Sequence, residues 1–173
     1  MEQSRLVRAL GILGATSVGL LLVRCLAYGR MEFGYMVWNL LLATMPLLFV
    51  WLLLERLKTN HWSSDWICIV LSLLWLGFLP NSFYIVTDLI HLAEVTNQTL
   101  LYDSVMMFVF SITGFTLGYA AVIPMHQQLR RRLKPFQADS IIGIVFLLCS
   151  FAIFLGRYMR WNTWDILANP AGL

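Results

Sequence analysis

The chain has 173 residues, of which 60% are hydrophobic, 14% aromatic and only 12% charged, with a formal net charge of +3 and a mean hydropathy of +0.75. A soluble domain carries about 25% charged residues to cover its surface, so this composition excludes a water-soluble globule and points to a multi-pass membrane protein. Three cysteines on three different apolar runs imply no disulfide, and the small positive charge requires no nucleic-acid partner.

A membrane-crossing helix needs about 20 mostly apolar residues to cover about 30 Å of hydrocarbon, and five runs qualify. The first spans residues 6 to 28. Its strictly apolar part lies between Arg8 and Arg24, two arginines placed to snorkel outward. It runs into Val23-Arg24-Cys25-Leu26 without a small-x-small cleavage site, so it reads as a helix and not as a signal peptide. The second spans residues 33 to 54, uncharged inside, with Asn39 and Pro46 within it and Trp38 and Trp51 near its ends, where interfacial aromatics belong.

The third run, residues 66 to 92, is expected to break at Pro80-Asn81, because proline lacks a backbone donor and Asn81 or Ser82 would cap a new helical start. The fourth, residues 104 to 125, carries Gly114-x-x-x-Gly118, a pattern that lets two membrane helices approach closely and marks a face for a membrane-protein partner or a homo-oligomer. The fifth covers about residues 140 to 158. The expected architecture is an all-α bundle of five transmembrane helices forming one domain over residues 1–173.

Positively charged short loops stay in the cytoplasm. With a cytoplasmic N-terminus, Arg5, Arg8, Arg56, Lys58, Arg130, Arg131, Arg132 and Lys134 lie inside, against Arg24, Arg30, Arg157 and Arg160 outside, so the C-terminus is expected to be extracytoplasmic. His61 and His126 then fall in cytoplasmic loops, and Trp161 and Trp164 in an outer aromatic belt.

On this topology the remaining polar residues collect at the outer side. If the segment after Pro80 is helical, Asn81, Tyr84, Asp88 and His91 fall within an arc of about 80°, with Thr87 and Glu94 at its edge. Tyr102 and Asp103 open the fourth helix there, Glu32 and Asn39 begin the second, and Arg157, Arg160, Asn162 and Asp165 follow the fifth. Ionisable groups near hydrocarbon cost roughly 2.5–3.5 kcal/mol each unless they pair or face water. Asp88, His91 and Asp103 against Arg157 and Arg160 therefore form a candidate constellation, serving either ion pairing or a ligand.

The run Phe78-Leu-Pro-Asn-Ser-Phe-Tyr-Ile-Val-Thr-Asp-Leu-Ile-His-Leu92, then Tyr102-Asp103, then Gly156-Arg-Tyr-Met-Arg-Trp-Asn-Thr-Trp-Asp165 resembles the bacterial integral membrane family called domain of unknown function 1361 (DUF1361). The likeness covers the chain from about Asn39 onward. It implies a multi-pass protein of the bacterial inner membrane and marks Pro80, Asn81, Tyr84, Thr87, Asp88, His91, Tyr102, Asp103, Arg157, Arg160, Asn162 and Asp165 as motif positions. Members continue beyond the Trp-Asp motif into a further hydrophobic segment, whereas this chain stops at Asn169-Pro-Ala-Gly-Leu173, so it is either a short member or a truncated one.

Three functions fit these residues. One is a non-catalytic membrane or assembly subunit. The second is an enzyme at the outer leaflet, with Asp88 and His91 as the catalytic pair and Asn81, Tyr84, Thr87, Tyr102, Asp103, Arg157, Arg160, Asn162 and Asp165 lining a site for an anionic or lipid-linked substrate. A metal version of it would use Asp88, His91 and Asp103, with Glu94. The third is a transporter or channel component, which the broken helix favours and the lack of charges in the cytoplasmic half disfavours. No zinc spacing, glycine-rich phosphate loop or Gly-x-Ser-x-Gly motif occurs, so the sequence names no cofactor.

Overall fold

The structure, a computed structural model, describes residues 2–29, 31–59, 61–62, 65–95 and 98–158. The described residues form helices joined by turns and contain no strand. The helices are α1 (Glu2–Tyr28), α2 (Tyr35–Arg56), α3 (Trp66–Tyr84), a 3-10 segment (Ile85–Glu94), α4 (Leu100–Arg130) and α5 (Pro135–Tyr158). Five stretches among them are long and apolar enough to cross a membrane, the third being α3 with most of the 3-10 segment. Large apolar side chains stand exposed on every one, among them Ile12, Leu26, Trp38, Leu73, Phe108 and Leu147, a surface that water does not tolerate over such an extent.

The helix ends follow from local chemistry. Gly29, at φ 64°, takes the left-handed conformation that stops α1, and its N–H donates to the Cys25 carbonyl at 2.9 Å. Asp65 starts α3 in extended geometry and accepts from the Ile67 N–H at 3.0 Å. Arg56, at the end of α2, donates to the same carboxylate at 2.7 Å and ties the α2–α3 turn shut. The Arg56 guanidinium, joined by the Ile67 N–H, holds the Asp65 carboxyl below the usual carboxylate range.

Pro80 lies inside α3 and does not end it. A helix interior loses one backbone bond at proline, and membrane helices tolerate the loss where neighbours supply partners. The carbonyl that Pro80 leaves without its usual donor is that of Leu76; beside it the Asn81 side chain donates to the Phe78 carbonyl at 3.1 Å, and Ser82 Oγ donates to the Ala43 carbonyl of α2 at 2.9 Å, tying α3 to α2 next to the proline. The change of helical form that the sequence places at Pro80-Asn81 comes instead at Ile85, where the chain tightens into ten residues of 3-10 helix. Such runs seldom exceed about four residues. Three residues per turn set Ile85, Asp88 and His91 in one row, Val86, Leu89, Leu92 and Val95 in a second, and Thr87, Ile90 and Ala93 in a third. Ile85 and Asp88 are buried, Leu89, Leu92 and Val95 pack on the core, and Ile90 and Ala93 are exposed.

The chain divides into two compact units, residues 1–125 and 126–173. In the first, Leu21, Met36, Leu40, Ala43, Ile85, Met106, Met107, Phe110 and Leu117 form the core. Polar ties cross it: Ser17 Oγ and Thr113 Oγ1 lie 2.9 Å apart between α1 and α4, and the Trp75 indole donates to the Ala121 carbonyl at 3.1 Å. Gly114 and Gly118 do their close packing within the chain, since a Cβ on Gly114 would meet the Ser82 carbonyl and one on Gly118 the Phe83 ring. The face expected to serve an oligomer is thus covered by α3 and the start of the 3-10 segment. In the second unit, Asp139 of α5 accepts from Arg130 at 2.7 Å and lies 2.7 Å from His126 Nε2, joining the end of α4 to α5.

Candidate functional site

The 3-10 segment brings Asp88 to α2. Asp88 is 1% exposed, and its Oδ2 accepts from Asn39 Nδ2 at 3.0 Å. A buried carboxylate needs such donors, because desolvation without partners costs several kcal/mol. His91, one 3-10 turn further on, is half-buried, and its ring stands edge to face with Tyr35 of α2, the centroids 5.8 Å apart. Tyr35 in turn packs edge to face on Phe33 at 6.4 Å.

Arg24, near the end of α1, is the charge that the sequence reading missed. It is 3% exposed, and Asp103 on α4 is fully buried. Nε donates to Asp103 Oδ1 at 2.5 Å and Nη2 to Oδ2 at 3.1 Å, a two-point pairing that matches the guanidinium fork to the carboxylate. Nη2 also donates to Glu32 Oε2 at 2.9 Å, and the guanidinium carbon sits 4.4 Å from the centre of the Phe33 ring. Nη1 is buried and finds no hydrogen-bond partner among the described residues. The sequence signal was present: an aspartate at the mouth of an apolar helix needs a cation, and Arg24 interrupts an apolar run at the matching end of α1.

The sequence-derived site residues separate into groups. Asp88 and His91 share one row. Asn81 and Thr87 donate to their own helix, Asn81 as described and Thr87 Oγ1 to the Tyr84 carbonyl at 2.6 Å. Tyr84 closes α3, half-buried. The Tyr102 hydroxyl donates to the Leu20 carbonyl of α1 at 2.7 Å, beside the Arg24 pairing in sequence. Arg157 lies half-buried in the last turn of α5, in the second unit; Arg160, Asn162 and Asp165, with Trp161 and Trp164, lie outside the described residues. Among the described residues Asp103 is paired with Arg24.

Among the described residues no three histidine, cysteine, aspartate or glutamate side chains converge as a metal ion would require. Asp103 is engaged by Arg24 and Asp88 by Asn39. The cysteines are free thiols, Cys68 and Cys149 buried and Cys25 half-buried. A crevice of about 520 Å³ between α1 and α2 is apolar, walled by Leu10, Gly14 and Val18 on one side and Val37 and Leu41 on the other, with Leu117 of α4 also lining it.

No curated protein and no solved structure matches the chain. A family of multi-residue extent does match, the one described as protein of unknown function (DUF1361), over residues 38–173. That span holds Asn39, Asp88, His91 and Asp103, while α1 with Arg24, and Glu32 and Phe33, precede it. With more than half of its length matched and five helices able to span a bilayer, the chain is a multi-pass membrane protein and belongs to the DUF1361 family.

Proposed function

We propose that the chain is a non-catalytic membrane or assembly subunit of the bacterial inner membrane, its N-terminus cytoplasmic and the Arg24–Asp103 end facing out. The lysine and arginine distribution supports the orientation. The observation that carries the functional reading is the Arg24–Asp103 pair. Two buried opposite charges held by two hydrogen bonds join α1 to α4, a structural use of the Asp103 carboxylate and of the Nε–Nη2 edge of Arg24. Because α3 covers Gly114 and Gly118, a protein partner would meet another face, and the exposed Phe108, Ile112 and Phe115 on α4 supply one.

A second reading, an enzyme at the outer leaflet, draws on Asp88 and His91. A carboxylate anchored by Asn39 and one 3-10 turn from a half-buried imidazole has the composition of a general acid–base pair. Chromosomal replacement separates the two. With Asp88→Asn and His91→Ala, any phenotype of the deletion should track the amount of folded protein in the membrane. Loss of function at full protein level in both variants would overturn the subunit reading in favour of the enzyme.

A further inference from the structure

Arg24 has five N–H donors in a planar fork, and the structure uses them unevenly. The Nε and Nη2 edge is filled by Asp103. The other edge, Nη1 with Nη2, holds a single oxygen, Oε2 of Glu32, on Nη2, and Nη1 is left buried without a partner among the described residues. Guanidinium edges bind carboxylate and phosphate through two parallel bonds, so half of this edge is vacant. Buried unsatisfied donors are uncommon in folded proteins and call for an explanation.

We propose that this edge of Arg24 is an anion site, in which two oxygens of a phosphate group take Nη1 and Nη2 in place of Glu32. The exchange keeps the local charge: Arg24, Asp103 and Glu32 sum to −1, and so do Arg24, Asp103 and a phosphate diester. Glu32 is suited to leave Arg24, because its side chain is 49% exposed while those of Arg24 and Asp103 are 4% and 0%. Asp103 stays as the anchor that fixes the fork. The Phe33 ring over the guanidinium and the exposed Tyr28 ring, its centre 6.0 Å from it, give the site an apolar surround at the end of a membrane-length helix, where lipid phosphates lie. The same chemistry would take a free phosphate.

Detergent-purified full chain tests this, with phosphatidylglycerol and phosphate-free diacylglycerol compared by native mass spectrometry and inorganic phosphate titrated by calorimetry. Phosphatidylglycerol should be retained over diacylglycerol. Glu32→Gln removes the competing charge at an exposed position and should tighten binding up to about fivefold, the range of an exposed ion pair. The double variant Arg24→Gln with Asp103→Asn removes both buried charges together and should lose the preference. The same variant pattern with inorganic phosphate identifies a free anion as ligand; the pattern with phosphatidylglycerol alone identifies a lipid headgroup. Binding of neither probe, no tightening by Glu32→Gln, or undiminished binding in a folded double variant would overturn the proposal. If the double variant does not fold, Glu32→Gln decides. The proposal does not rest on the subunit reading, which a negative result leaves standing.

Discussion

The Ser82 carbonyl occupies the space that a side chain on Gly114 would need: a Cβ there would lie 2.6 Å from the oxygen. Backbone meets backbone at this point, so α3 and α4 cannot part slightly without disturbing Ser82, whose hydroxyl also holds the Ala43 carbonyl of α2.

Gly114→Ala should therefore destabilise the protein by about 1–3 kcal/mol, the usual range for overpacking. Gly118→Ala meets the edge of the Phe83 ring at 2.7 Å, a side chain that turns more easily than a backbone moves, and alanine returns up to about 1 kcal/mol of helix propensity. Thermal denaturation in detergent should rank Gly114→Ala below Gly118→Ala. Equal midpoints would show that the α3–α4 approach is not set by the Ser82 carbonyl.

Asp103→Ala or Arg24→Ala should each cost about 3–5 kcal/mol, because each leaves a buried charge without its partner. The double variant Arg24→Gln with Asp103→Asn should lose clearly less than the sum of the singles. A double-mutant cycle on chemical unfolding reads the coupling, and additive losses would mean that the two residues stabilise α1 and α4 independently.

Asp65 carries a pH dependence whose sign is fixed by its partners. Arg56 and the Ile67 N–H lower the folded carboxyl pKa, so the stabilisation is complete above the unfolded value of about 3.9 and fades as pH falls through the folded one. Asp65→Asn keeps the capping oxygen and removes the charge. The gap in melting temperature between wild type and Asp65→Asn should hold steady from about pH 7 to 5 and close below about pH 4. No gap at any pH would assign the stabilisation to capping alone, and a gap that persists unchanged below about pH 4 would show that the Asp65 charge does not carry it.

Residues 85 to 94 form a long 3-10 run with poorer hydrogen-bond geometry than α-helix, whereas Met106, Met107 and Phe110 of α4 are fully buried. Amide hydrogen exchange in detergent should therefore be faster along the 3-10 segment than along residues 106 to 117. Equal protection would show that packing of Leu89 and Leu92 compensates for the strained ladder.

The five spans were legible because length and hydropathy are local properties of the chain. Twenty apolar residues declare a membrane helix whatever lies beside them, and Asp88 with His91, three apart, declare a shared row in any tight helix. The sequence signals that Asp103 needs a cation, but not which one. Arg24 has the same apolar sequence neighbours whether it snorkels or pairs, and it meets Asp103 across 79 residues because of how α1 and α4 are rotated against each other. The same holds for Gly114. Its pattern announces that something approaches closely, but only the packed helices decide that the approaching backbone is Ser82 of the same chain. Pro80 likewise announces a weakened helix, but in the packed structure α3 runs on to Tyr84 and the change of form comes at Ile85. Sequence sets which segments enter the bilayer, since each is priced by its own contact with water and lipid; tertiary structure sets which polar groups meet, since that depends on the rotation and register of helices far apart in the chain.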